Sequence, residues 1–251
     1  MAPALNAREI IAERTRTIDQ IKRLYAVVMG FAVTTCFANI YACARTVGFD
    51  DKIGISIILA QGVTFVSLIT LFYLGAERLL DTRYLQADSR VPSRLGLLFD
   101  LFSLGLTAGW FVVLANTFTD PSKGPLTNQT LRDELDAFVT NLLILYGADT
   151  FLLSCQLIRV WRGPASPRPY AMLAHGWWIG LNLLCIAALI CVIPRFAGAE
   201  FALGWRLDAV AFGIFVLHIA RFFADFMLTY GFYYPPWGVP GTERAATQTA
   251  F

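Results

Sequence analysis

Long apolar runs alternate with short polar segments along the whole chain. Six such runs contain few charged side chains, and they are Leu24–Ala44, Ile53–Ala76, Leu95–Phe118, Ala137–Ile158, Tyr170–Ile193 and Leu207–Tyr230. Each is long enough to form a helix of roughly 20 residues, which crosses the ~30 Å hydrocarbon layer of a bilayer and pairs its own backbone groups in lipid. The pattern therefore predicts an all-α, polytopic membrane protein with six transmembrane helices arranged as three hairpins.

The composition agrees with this fold class. Of the 251 residues, 57% are hydrophobic and 15% are charged, whereas about a quarter of the residues of a soluble domain are charged. The net charge of +2 gives no footprint for nucleic acid. Five cysteines all fall in the predicted spans without CxxC or metal-ligand spacing, so we predict no metal and no cofactor. The expected partners are the lipid bilayer and either further copies of the chain or other membrane subunits.

The positive charges are distributed unevenly between the two sides of the predicted bundle. Thirteen Lys and Arg residues flank the spans on the side of the termini and six lie on the opposite side. Because cytoplasmic loops carry the excess of positive charge, both termini are predicted to be cytoplasmic, and we expect the inner membrane of a bacterium. The chain then divides into a cytoplasmic amphipathic segment (1–23), a transmembrane domain (24–234) and a cytoplasmic tail (235–251).

The amino-terminal segment has an amphipathic pattern. Ile10, Thr17, Ile21 and Leu24 recur at helical spacing. Two alternatives fit this pattern: a helix that lies on the membrane surface, and a solvated helical extension of the first span.

The sixth span carries three ionisable side chains in an otherwise apolar run. His218, Arg221 and Asp225 follow one another at i, i+3 and i+7, so a helix places them on one face. A charge at the bilayer centre costs about 2.5–3.5 kcal/mol on insertion scales. We therefore expect these residues to face protein or water, with Asp225 as the nearest partner of Arg221.

A second partner for Arg221 follows from depth. The interval along the chain from Asp149 to Trp161 is the same as the interval from Arg221 to Tyr233. If Trp161 and Tyr233 both mark the membrane interface, Asp149 and Arg221 lie at one level. The sequence thus predicts a contact between these two side chains.

Further acidic residues lie towards the same end of the predicted bundle. Glu77, Asp149 and Asp225 each follow an alanine in or directly after an even-numbered predicted span, and the intervals between them are nearly equal. This regularity is either the trace of a duplicated two-helix unit or a chance similarity. Together with Asp100, near the start of the third span, these acids are either interfacial groups or the lining of a polar vestibule.

The two histidines do not fit a haem. His175 is near the start of the fifth span and His218 is near the middle of the sixth, so their depths differ by roughly 10 Å. His218 is then either a proton-relay or pH-sensing group or a structural histidine with satisfied hydrogen bonds.

Small and neutral polar residues suggest helix contacts. Two GxxxG patterns, Gly105–Gly109 and Gly176–Gly180, predict close helix approach within the bundle or between subunits. Neutral polar side chains in the spans, among them Asn182, predict hydrogen bonds between helices.

Three functions are compatible with these features. The favoured one is a small membrane channel or transporter for an ion or small solute, with a buried Asp/Arg network between the fourth and sixth helices. The alternative is a non-catalytic subunit or assembly partner of a membrane complex, which the GxxxG faces suit. A membrane enzyme acting on lipid or quinone comes third. Only the carboxylates near the cytoplasmic surface favour it, and no HExxH, P-loop, Rossmann or GxSxG motif occurs.

Overall fold

The computed structural model describes residues 7–47, 52–85, 94–118, 128–162, 169–192 and 207–233. These residues form the helices α1 (Ala7–Val47), α2 (Lys52–Leu80), α3 (Arg94–Ala115), α4 (Asn128–Arg162), α5 (Pro169–Val192) and α6 (Leu207–Tyr233). All six are long and apolar enough to cross a bilayer, which confirms the all-helical fold class and the number of spans. The predicted tail, 235–251, and the start of the predicted amino-terminal segment, before Ala7, lie outside the described residues.

Helix α1 includes both the predicted amphipathic segment and the first span. It is one helix of 41 residues, or about 60 Å, which is roughly twice the thickness of the hydrocarbon layer. Its amino-terminal part packs against the end of α2, where Ile18 contacts Leu80 and Tyr84. Lys22 forms an ion pair with Asp81, in a short π-helical turn that extends α2. The described part of the predicted segment and the first span thus form one continuous helix.

Helix α2 lies at the centre of the bundle. In the most apolar stretch of α2, 61% of the residues are buried inside the bundle, whereas 22% are buried in the corresponding stretch of α1. It packs most extensively against α6 and also contacts α1, while α4 packs on α5 and α1 on α3. The hairpin pairs α1–α2 and α5–α6 are present, but the largest interface joins the first hairpin to the third. The outer helices expose large apolar side chains such as Phe102 and Phe212, as lipid-facing surfaces do.

Aromatic side chains fill one half of the bundle. Phe65 meets Phe111 and Phe118 edge to face at 5.8 and 6.0 Å between ring centroids, and Phe118 meets Phe138 at 5.5 Å. These rings come from the amino-terminal halves of α2 and α4 and from the carboxyl-terminal half of α3 and its continuation. Such pairs add stabilisation beyond the area that they bury. We call this part of the molecule the aromatic half.

Candidate functional site

A cavity of about 100 Å³ occupies the other half of the bundle. Its wall comes from the carboxyl-terminal halves of α2, α4 and α6 and the amino-terminal halves of α1, α3 and α5. Consecutive helices therefore run in opposite directions. The polar and charged part of this wall consists of Tyr25, Arg83, Tyr84, Asp100, Ser103, Thr107, Asp149, Gln156, Trp178, Arg221 and Asp225. We call the cavity the vestibule.

An amide links the two charged residues that the sequence predicted to touch. Arg221 Nη2 donates a hydrogen bond to Asn182 Oδ1 at 2.7 Å, and Asn182 Nδ2 donates to Asp149 Oδ2 at 2.7 Å. The predicted direct contact between Asp149 and Arg221 is therefore wrong. The two side chains lie close together, but the fifth helix inserts Asn182 between them. The amide satisfies both because it offers an acceptor to the guanidinium and a donor to the carboxylate.

Asp225 accepts two side-chain hydrogen bonds. Its Oδ1 accepts hydrogen bonds from Trp178 Nε1 at 2.8 Å and from Thr229 Oγ1 at 3.0 Å. Its Oδ2 lies 3.9 Å from Arg221 Nη1, which is ion-pair distance but too long for a hydrogen bond. The predicted i, i+4 pair on α6 is thus present as a charge contact, and Trp178 of α5 holds the carboxylate in place.

The Tyr146 ring lies against the guanidinium of Arg221. The Arg221 guanidinium carbon lies 5.0 Å from the centroid of the Tyr146 ring, a cation–π contact. The same ring stacks on His218 at 6.1 Å. His218 Nδ1 bonds the Ile214 carbonyl at 2.8 Å, so Nδ1 carries the proton. The buried Nε2 has no hydrogen-bond partner among the described residues, which means that His218 is only half satisfied.

The third carboxylate of the vestibule is paired with its own cation. Asp100 accepts hydrogen bonds from Arg83 Nη1 at 3.0 Å and from the Tyr84 hydroxyl, both at the end of α2. The described wall contains three carboxylates and two guanidinium groups. Arg83 balances Asp100 and Arg221 lies against Asp225. Asp149 accepts from a neutral amide, so the wall has a net charge of −1 when all these groups are ionised.

The remaining predicted site residue lies apart from this group. Glu77 accepts a hydrogen bond from Tyr73, one turn earlier on α2, at 2.8 Å. Its neighbour Ala76 lines the vestibule instead of Glu77. The three acids with similar spacing along the sequence therefore divide, with Asp149 and Asp225 at the vestibule and Glu77 outside its described wall.

His175 belongs to a different contact. Its Nε2 lies 3.2 Å from Gln156 Oε1, and its ring contacts Trp178. Within the described ranges no group of three or more His, Cys, Asp or Glu side chains is placed to hold a metal ion.

The glycine patterns do not join helices within the described bundle. Gly105, Gly109, Gly176 and Gly180 are exposed, and a Cβ atom added at any of them would meet nothing within 4 Å. The close approach occurs at Gly62 instead, where an added Cβ would lie 2.9 Å from Ile40 of α1. The interpretation of GxxxG as a contact inside the bundle is therefore wrong for the described helices.

No protein-family model, curated protein or solved structure matches this chain. The function must therefore be argued from the vestibule itself.

Proposed function

We propose that this protein transports or conducts a small monovalent cation, such as the proton, across a membrane. The observation that carries the proposal is the vestibule: a cavity between spans whose largely apolar wall carries several charged side chains, among them Asp149, with no described cationic side chain in direct contact with that carboxylate. Ionisable groups within membrane spans are rare because they are costly, and those that persist mark ion or proton paths.

The charge of the wall favours a cation over an anion. With a net charge of −1, the described wall repels an anion and attracts a cation. The attraction is strong because the cavity lies among apolar helices, where charges are poorly screened. Asp149 is the carboxylate that would bind the cation, because Asp100 is already paired with Arg83 and Asp225 with Arg221.

The vestibule is large enough for a small ion with part of its hydration water. A volume of about 100 Å³ holds a few water molecules, because each occupies about 30 Å³ in the liquid. A hydrated cation or a proton on a water chain fits such a space. The guanidinium of Arg221 lies at the far side of Asn182 and weakens the hold of Asp149 on the ion, as conduction requires.

Flux through liposomes that contain the purified protein tests the proposal. A potassium diffusion potential would drive cations inward, and a trapped pH-sensitive dye would report protons while a sodium-sensitive dye would report sodium ions. The Asp149→Asn variant should lose most of the flux because it removes the negative charge that binds the cation. The matched control is Asp133→Asn, on the same helix but exposed and outside the vestibule wall, and it should retain the flux. Cation flux equal to that of empty liposomes would refute the proposal.

A specific observation also favours the alternative role as a subunit of a membrane complex. The four glycines of the GxxxG patterns lie on exposed faces of α3 and α5 with open space around them, so a second copy or another membrane subunit could pack there. Cross-linking in native membranes of the single variants Gly105→Cys and Gly180→Cys tests this role. A specific cross-linked product supports it, and only background products argue against it.

A further inference from the structure

Two polar residues in the aromatic half lack hydrogen-bond partners. Gln61 and Thr64 are each fully buried, at 0% exposure. Neither amide atom of Gln61 and not the hydroxyl of Thr64 has a partner within the described part of the chain. A buried polar group left unpaired costs about 1–3 kcal/mol. Three such atoms within one helical turn point to a ligand that donates and accepts hydrogen bonds.

The side of α2 that carries these residues is the side that lines the vestibule. Thr64 precedes Leu71 by two helical turns, and both therefore point in nearly the same direction. Gln61 and Gly75 are related in the same way, with four turns between them. Since Leu71 and Gly75 line the vestibule, Gln61 and Thr64 lie on the same stripe about 10–15 Å further along the helix axis.

One buried apolar residue separates the polar pair from the vestibule on this stripe. Leu68 lies one turn beyond Thr64 and one turn before Leu71, and it is 1% exposed. An apolar constriction of this kind opposes the passage of water and ions because it does not hydrate. Leu68 would then close the path while the bundle has the arrangement described above.

The neighbouring helix continues the same polar trend. Helix α6 is the most extensive partner of α2. It carries His218 one turn from Arg221, on the side away from Asp225, and His218 Nε2 is buried without a described partner. Unpaired polar atoms are thus found on both helices of the largest interface.

We propose that Gln61 and Thr64 form a second site for the cation and its hydration water, joined to the vestibule along the α2–α6 interface and closed by Leu68. The oxygens Oε1 and Oγ1 are the neutral hard ligands that a small monovalent cation takes, and Nε2 donates to a water of its shell. Two neutral oxygens bind weakly, which suits a site that an ion leaves quickly. This inference rests on the proposed cation transport and names the part of the path beyond Asp149.

Substitution of the constriction gives a gain of function that loss of folding cannot imitate. Leu68→Ser should raise cation flux into liposomes about fivefold or more, because a hydroxyl hydrates the barrier. The matched control is Val66→Ser, two residues away on the exposed side of α2, which should leave the flux unchanged. No increase for Leu68→Ser would overturn the proposal.

Removal of the polar atoms gives the complementary loss. The double variant Gln61→Leu with Thr64→Val should lower flux about fivefold or more, because the second site can no longer replace the hydration of the ion. Thr70→Val, a partly exposed threonine of the same helix, is the control and should behave like the unaltered protein. Full flux in the double variant, with flux lost in Asp149→Asn, would refute the second site and leave the transport proposal intact. Unchanged flux in Asp149→Asn as well would refute the role of Asp149, and flux of the unaltered protein no larger than that of empty liposomes would refute the transport proposal itself.

Discussion

The ion pair between Arg221 and Asp225 gives the sharpest quantitative prediction for stability. The two charged atoms lie 3.9 Å apart, and both side chains are almost completely buried. Two unit charges at this separation attract each other by about 4 kcal/mol at an effective dielectric constant of 20. Water in the vestibule raises the local dielectric constant, so we expect a coupling energy of about 2–4 kcal/mol.

A double-mutant cycle isolates this pairwise energy. Arg221→Gln leaves Asp225 with its Trp178 and Thr229 donors but without a counter-charge. Asp225→Asn leaves the guanidinium with Asn182 and the Tyr146 ring but without its nearest counter-charge. Each single change should therefore destabilise the bundle strongly, and the double change should cost clearly less than the sum of the two.

The free energy of unfolding can be measured by titrating the purified protein in mixed micelles with a denaturing detergent, with loss of helix as the signal. The control cycle combines Arg221→Gln with Asp133→Asn, at an exposed position near the start of α4. Because Asp133 lies about 24 Å along α4 from Asp149, which is linked to Arg221 through Asn182, the two effects should add within about 0.5 kcal/mol. A coupling energy for Arg221 and Asp225 that is no larger than this control would show that the pair is not an ion pair in the protein.

Three further outcomes follow from burial and charge. In detergent micelles a maleimide should label Cys191, which is exposed, far faster than Cys36, which is fully buried; equal rates would contradict the packing of α1. Gly105→Leu should leave the stability of the folded monomer unchanged because the site is open, whereas Gly62→Leu should destabilise it by about 1–3 kcal/mol by overpacking against α1. Thermal unfolding measures both effects, and a larger loss of stability for Gly105→Leu would refute the packing of Gly62 against α1. A reporter enzyme that works only in the cytoplasm should be active when fused after residue 251, because the positive charges predict a cytoplasmic carboxyl terminus. Activity of a reporter that works only outside the cytoplasm would show the opposite topology.

Periodicity and length were sufficient to predict the helices. The six apolar runs correspond to the six helices because the membrane requires a minimum length of apolar helix, and that requirement is visible in one dimension. The shared face of His218, Arg221 and Asp225 followed from the helical repeat, and all three are buried. Depth counting also placed Asp149 and Arg221 close to the same amide.

The same counting could not predict which side of each helix faces the interior of the bundle. Glu77 has nearly the same spacing along the chain from Asp149 as Asp149 has from Asp225, but the vestibule wall includes Ala76 in its place, because equal spacing does not fix which side of a helix faces inward. The prediction that the GxxxG glycines make contacts inside the bundle was wrong for the same reason, because a small residue permits close approach without determining where a neighbouring helix lies. Asn182 was one of several amides in the spans, and only packing distinguishes the one that links two charges.

The separation of the vestibule from the aromatic half affects how the membrane voltage is distributed across the bundle. Water and mobile charge in the vestibule would hold it near the potential of the solution into which it opens, so that most of the voltage across the membrane would fall over the layer around Phe65 and Phe118. One elementary charge that crosses about 100 mV gains or loses about 2.3 kcal/mol. An ion on the proposed path, which leaves Asp149 and passes Leu68 on the way to Gln61 and Thr64, would experience nearly this whole amount within half of the membrane thickness. The driving force on such an ion would therefore be concentrated beyond the vestibule, where Leu68 closes the path.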